Sequence, residues 1–299
     1  MAERESQIVL GLDPDPTALW PLAAEDVAAG TPAARAARAV ERHCRAVIDA
    51  TAPACVAVKP QLARFELLGA AGWAALEAVV SYAQERGLLV IADGKRGDID
   101  VTARAYAGAL FGGSQTPFGT LGGLGAELVT VNPLMGADAI EPFVKAARAA
   151  GGGVLVLVRT SNPGARDVED LALQGGGAVW ERLAEIVDQL GADGVGESGL
   201  SDVGAVLGAT EPWHLARARE LMGRATFLLP GVGAQGGRVE RLAAAFAAGR
   251  AGGLISASRS IVGAHLSAGG EPAAAARAEA ERMRETAWAL SSDAPASVR

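Results

Sequence analysis

The chain has 299 residues, half of them apolar, with 39 glycines and a net charge of −7. That length suits one barrel or one large α/β domain, and the composition can bury a large core, which excludes global disorder. The acidic balance excludes a broad basic surface for nucleic acid, though not a small basic pocket for a phosphorylated metabolite.

Residues 1–7 are charged and lack the apolar core of a signal peptide. No apolar stretch is long enough for a membrane span, so a cytoplasmic protein is expected. The first predicted strand, 8–11, leads to Asp13. A helical period follows in Val40, Cys44, Val47 and Ile48. His43, in a charged part of that helix, is expected at its surface. Strand 55–59 ends in Lys59, and Trp73, Leu76, Val80 and Ala83 begin the next helical face. Strand 88–92 leads to Asp93, Lys95 and Asp98. The Gly-rich segment 112–125 is expected to be an extended loop before strand 128–131.

Strand 154–158 runs into Thr160-Ser161-Asn162-Pro163, and Val179, Leu183, Ile186, Val187 and Leu190 repeat with helical spacing. Strands 204–208, 226–229 and 253–257 complete the set. The last two lead to Pro230-Gly231-Val232-Gly233-Ala234-Gln235-Gly236-Gly237 and Ser258-Arg259-Ser260. Ala-rich 273–280 reads as surface helix and polar 291–299 as a frayed tail. Cys44 and Cys55 are too few for a disulfide framework and read as small core residues. Most strands are nearly continuously apolar, as parallel strands buried on both faces are. Eight of them alternating with helices, with no domain boundary, predict an α/β fold: a single (β/α)8 TIM barrel over 1–299. An open doubly wound sheet is the competing topology.

In a barrel, chemistry belongs at the C-terminal strand ends, where the unusual residues lie. Asp93-Gly94-Lys95-Arg96-Gly97-Asp98 puts four charges at the end of a buried strand, which is costly without partners. Strand alternation points Asp93 and Lys95 the same way, and Lys59 ends the preceding strand. Two lysines and two aspartates can form an alternating network that keeps each group ionised. The alternative is a solvated turn with local ion pairs. Arg96 is expected to point away from Lys95 and stay solvated.

Asp93-x-Lys95-x-x-Asp98-Ile99 with Lys59 resembles orotidine 5'-phosphate decarboxylase. So do Leu12-Asp13, Val58-Lys59-Pro60-Gln61, Thr160-Ser161-Asn162-Pro163, the 230–237 segment and Arg259-Ser260-Ile261, in the family's order. The Lys-Pro-Gln and Thr-Ser-Asn-Pro forms resemble its longer bacterial branch, type 2. The resemblance implies decarboxylation of orotidine 5'-monophosphate in pyrimidine biosynthesis, without metal or cofactor. It implies that Lys95 protonates C6, that Asp93 lies beside the substrate carboxylate, and that Lys59 contacts the ribose and orients Asp93. It gives Asp13 the ribose hydroxyls, Ser161 the pyrimidine, and Gln235 and Arg259 the phosphate. It also implies a homodimer in which Asp98, with Thr102 close by, serves the partner's site. Gly94 stands where the family often has Ala, and Ser258 where it often has Gly.

Several features point elsewhere. Gly231–Gly236 matches a dinucleotide fingerprint, but it follows the seventh strand, and the next strand ends in Arg259 where such a fold needs an acid. Glu211 and His214 have no third ligand nearby, so no metal site is assigned. Ser161 lacks a nucleophile elbow. Trp180 and Trp213 read as helix packing residues. The enzyme alternative is a magnesium-dependent sugar-phosphate decarboxylase or hexulose-phosphate synthase sharing Asp-x-Lys-x-x-Asp; the non-enzyme alternative is an inactive phosphate-binding barrel.

Overall fold

A computed structural model describes residues 1–25 and 29–292. The barrel strands are β1 (Ile8–Leu12), β2 (Ala57–Pro60), β3 (Leu89–Arg96), β4 (Leu128–Val131), β5 (Gly153–Arg159), β6 (Val203–Leu207), β7 (Phe227–Pro230) and β8 (Gly253–Ala257). All neighbours pair in parallel, and β1 bonds to both β2 and β8, which closes the sheet and rules out the open topology. Each predicted strand has its counterpart. The near-continuous apolar runs arise because both faces are buried. Val9, Ala57, Ile91, Leu155, Val206, Leu228 and Leu254 form one cluster, the barrel interior. Their strand neighbours, among them Ile8, Leu10, Val58, Val90 and Val154, pack outward in the larger core against the helices.

The principal helices are α1 (Pro32–Thr51), α2 (Gly69–Glu85), α3 (Asp100–Phe111), α4 (Ala137–Ala150), α5 (Val179–Gly191), α6 (Leu215–Leu221) and α7 (Pro272–Leu290). α1 starts where the Thr31 hydroxyl accepts the Ala34 N–H at 3.3 Å and Pro32 presets the first turn. α7 starts where the Glu271 carboxylate accepts the N–H groups of Ala273 and Ala274 at 3.0 and 2.8 Å. Between β7 and β8 the described chain forms only 3₁₀ turns: Val239–Arg241, Ala243–Ala248 and Arg250–Gly252. Arg219 holds this connection. Its guanidinium donates to the carbonyls of Ala225, Ala245 and Gly252 at 2.7, 2.7 and 3.0 Å.

Six expectations need correction. Within 112–125, Ser114–Thr116 and Gly119–Leu121 pair as an antiparallel hairpin, so the segment is not simply extended. His43 is buried, its Nδ1 accepting the Trp20 N–H at 3.1 Å, and burial depresses the imidazole to about 4. Arg96 is half-buried, paired with Glu66 and set over the Tyr106 ring. Trp180 is buried as expected, but Trp213 is 63% exposed. The helix over 273–280 presents Ala276 and Ala280 to the core, so one face of it is interior. Of the tail, Ser291 is buried and accepts Gln7 Nε2 at 2.7 Å, while 293–299 lie outside the described residues. Both cysteines are buried, and burial pushes the Cys55 thiol up to about 12. Among the described residues no helix is long and apolar enough to cross a membrane.

Candidate active site

The C-terminal strand ends surround a cavity of about 530 Å³. Of the nine residues expected at the site, Asp13, Lys59, Asp93, Lys95, Ser161, Gln235 and Arg259 line it; Asp98 and Thr102 do not.

The charged centre is built on an irregularity in β3. Ala92 pairs with Val129 and Arg96 with Val131, so Asp93, Gly94 and Lys95 stand opposite the single residue Thr130. Lys95 takes a left-handed conformation, φ 47°, which costs a non-glycine residue about 1 kcal/mol or more. Asp93 and Lys95 do converge, but through this bulge and not through simple alternation. At Gly94 a Cβ would come within 2.7 Å of Leu62 Cδ1, so the missing methyl gives the bulge room.

Asp93 is 4% exposed and collects four donors. Its Oδ1 accepts Lys95 Nζ at 2.6 Å and the Thr130 hydroxyl at 3.0 Å. Its Oδ2 accepts Lys59 Nζ and, at 3.3 Å, Gln61 Nε2. Burial alone would raise this carboxyl. The two ammonium charges and their hydrogen bonds outweigh it and hold the group at about 2, so it is ionised at neutral pH. Lys59 is itself buried, whereas the Lys95 side chain is 44% exposed. The cavity therefore meets a mobile-length ammonium anchored on an immobile carboxylate.

At the far end Gln235 and Arg259 face the same cavity. Gly231 and Gly233 have φ of 99° and 76°, and a Cβ at Gly233 would come within 2.6 Å of Ser260 Cβ. The glycines thus serve a tight turn against the start of the next segment. Among the described residues Asp13 and Arg259 are exposed and make no side-chain hydrogen bond or ion pair. Beside them, Ser258 packs on β1: a Cβ at Gly11 would stand 2.7 Å from Ser258 Cβ.

The Thr160–Asn162 segment is fixed from behind. The Thr160 N–H donates to Glu169 Oε2 at 2.8 Å, and its hydroxyl lies 2.7 Å from Asn162 Oδ1. Buried Arg159 donates to Asp170 through Nε and Nη2 at 2.8 and 2.9 Å, to Glu211 at 3.2 Å and to the Thr160 carbonyl at 2.6 Å. Arg159→Met is expected to lower the unfolding free energy by about 2–4 kcal/mol, because Asp170 loses its counter-charge and Glu211 is left with Arg166 alone. Urea denaturation measures this, and an unchanged midpoint would show the contacts to be energetically idle.

Thr130, Gln61, Arg159 and Glu169 received no role from the sequence. Thr130 carried a signal, a hydroxyl inside an otherwise apolar strand. Arg159 and Glu169 acquire their partners only through the fold.

Asp98 lies beyond the strand, its Oδ1 accepting the Ile99 N–H at 2.8 Å, and Thr102 is on an exposed face of α3. Around them Ile99, Val101, Leu134 and Met135 are 57%, 67%, 80% and 44% exposed. Among the described residues no three His, Cys, Asp or Glu side chains gather as a metal-binding set.

Residues 6–278 match the model of the orotidine 5'-phosphate decarboxylase / HUMPS family. The chain belongs to that family. It is 48% identical over 216 residues to the orotidine 5'-phosphate decarboxylase of Deinococcus radiodurans, covering 72% of this chain and 74% of that one. The enzyme of the same name from Roseiflexus castenholzii is 38% identical over 283 residues, 94% of this chain and 92% of the other. The solved OMP decarboxylase of Leishmania donovani superposes with a TM-score of 0.71 at 32% identity, covering 96% of both chains. These relatives carry the decarboxylase name.

Proposed function

We propose that this protein decarboxylates orotidine 5'-monophosphate to uridine 5'-monophosphate, using its own side chains and neither metal nor cofactor. The observation that carries this reading is the Lys59–Asp93–Lys95 centre, with the Lys95 ammonium reaching into a cavity whose other end holds an unpaired arginine. As the bond from C6 to the carboxylate breaks, its electron pair stays on C6 and carbon dioxide leaves. A fixed ammonium stabilises that developing charge and then donates its proton to C6. Asp93, ionised and unable to rotate, holds Lys95 and stands beside the substrate carboxylate. Lys59 and Asp13 take the ribose, Ser161 the pyrimidine, and Gln235 and Arg259 the phosphate. Binding at that remote phosphate contributes to positioning at C6.

Asp98 and Thr102 complete the site of a second copy in a homodimer. The exposed apolar residues near Asp98 support this reading, since exposed apolar side chains beside a polar site favour association. We place the enzyme in the cytoplasm.

The test is loss of ultraviolet absorbance when purified protein meets orotidine 5'-monophosphate. Turnover is expected to persist after exhaustive EDTA treatment. Loss of activity with EDTA and its return with magnesium would favour the sugar-phosphate branch, and no turnover under any condition would leave the inactive barrel.

A further inference from the structure

We infer that Thr130 is a positioning residue for the proton donor, acting on Lys95 through both of its anchors. The inference rests on the decarboxylase reading above. Its starting point is the bulge: three residues of β3 face one residue of β4, so the Lys95 N–H has no backbone carbonyl opposite it in the ladder. The Thr130 hydroxyl oxygen accepts that N–H at 2.9 Å. The same hydroxyl donates its proton to Asp93 Oδ1 at 3.0 Å. Oδ1 is also the oxygen that receives Lys95 Nζ at 2.6 Å. One hydroxyl therefore closes a ring that runs from the Lys95 backbone through Thr130 and Asp93 to the Lys95 ammonium.

Lys95 needs such support. Its side chain is 44% exposed, so packing does not fix it, and its backbone is in a region that side-chain-bearing residues avoid. Its N–H and its Nζ each donate one hydrogen bond. The first ends on Thr130 and the second on a carboxylate oxygen that Thr130 also holds. Thr130 can serve as the reference point because it is 1% exposed, β-branched and confined to few rotamers. Lys59 and Gln61 hold the other carboxylate oxygen, so loss of the Thr130 hydroxyl would let the carboxylate turn about its Oδ2 contacts. The ammonium would turn with it, and proton delivery is sensitive to displacements of that size.

The experiment compares Thr130→Val, which keeps the shape and removes the hydroxyl, with Thr130→Ser, which keeps the hydroxyl. Steady-state turnover of orotidine 5'-monophosphate and calorimetric binding of uridine 5'-monophosphate are measured on both and on the unmodified protein. For Thr130→Val, kcat is expected to fall about 10- to 100-fold while KM and product affinity stay within about threefold. Thr130→Ser is expected to return kcat to within about threefold of the unmodified protein. If the valine variant does not fold, Thr130→Cys, with a weakly hydrogen-bonding sulfur in nearly the same volume, replaces it and should show the same split. A folded valine or cysteine variant with kcat within about twofold of normal overturns the inference. So does a serine variant as slow as the valine one, or a loss in which kcat and product affinity fall together, which marks a merely structural role. Absence of turnover in the unmodified protein sinks the decarboxylase reading instead, so the two failures are distinguishable.

Discussion

Lys95→Ala is expected to reduce kcat by at least about 1000-fold while affinity for uridine 5'-monophosphate changes little. Two effects vanish together. The ammonium no longer stabilises charge at C6, and the proton it would deliver is gone. The fold should tolerate the change. The Lys95 side chain is 44% exposed, alanine can keep the backbone's hydrogen bond to Thr130, and Asp93 retains Lys59, Gln61 and Thr130 as partners. Gln235 and Arg259 at the far end of the cavity are untouched, which is why product binding should persist. The decisive measurement is kcat under saturating substrate, with product affinity measured by calorimetry on the same preparation. A near-normal kcat would remove Lys95 from the chemistry. A large loss of product affinity would mean that the cavity had rearranged.

Mixed dimers of Lys95→Ala and Asp98→Ala chains are expected to regain activity that neither parent shows. Asp98 does not line the cavity of its own chain, although Lys95, three residues earlier, does. Gly97 lies between them, and a Cβ there would come within 3.0 Å of the Asn132 carbonyl oxygen, so the chain leaves the barrel mouth tightly past β4. Asp98 then emerges among exposed apolar side chains. In a two-fold dimer with shared sites, one site of the mixed species carries both lesions and the other carries neither. Each mixed dimer should therefore show about half of normal activity, and random pairing about a quarter overall. Native mass spectrometry identifies the mixed species. If they form and stay inactive, Asp98 does not act across an interface. An Asp98→Ala parent that is itself fully active would remove the residue from the site altogether.

Most of the barrel was legible because burial on both faces writes the strands as apolar runs, and the chemistry sits where those runs end. Lys59, Asp93 and Lys95 stood out since charges at such places are costly without partners. The bulge was not legible. It depends on how β3 registers against β4, a contact between segments about 35 residues apart, as in the bond from Lys95 to Thr130. Alternation therefore led to the right convergence of Asp93 and Lys95 by the wrong route. The hairpin within 112–125 was hidden because its strands are three residues each, too short for a period to show. His43 had a visible clue that the surrounding charges outweighed. It lies three residues after Val40 and four before Val47, on the apolar face of α1. Trp213 misled in the opposite sense, because an aromatic ring near a helix start can rest on the surface, as it does edge-on to His214 at 5.4 Å.

The packing of Ser258 on β1 has a consequence for how this enzyme can change over time. Positions 11 and 258 share space for one side chain, since a methyl at 11 would sit 2.7 Å from the serine's Cβ. The two are far apart in sequence, at the ends of the first and last strands, yet they compete for the same space. A chain carrying Ser258 constrains residue 11 to glycine. Glycine at 258 would remove that contact, while the Cα of residue 258 at 3.3 Å and the Ala257 carbonyl at 3.4 Å would still crowd a methyl on β1. The barrel seam, where the chain's beginning meets its end, therefore leaves little room for a side chain at position 11.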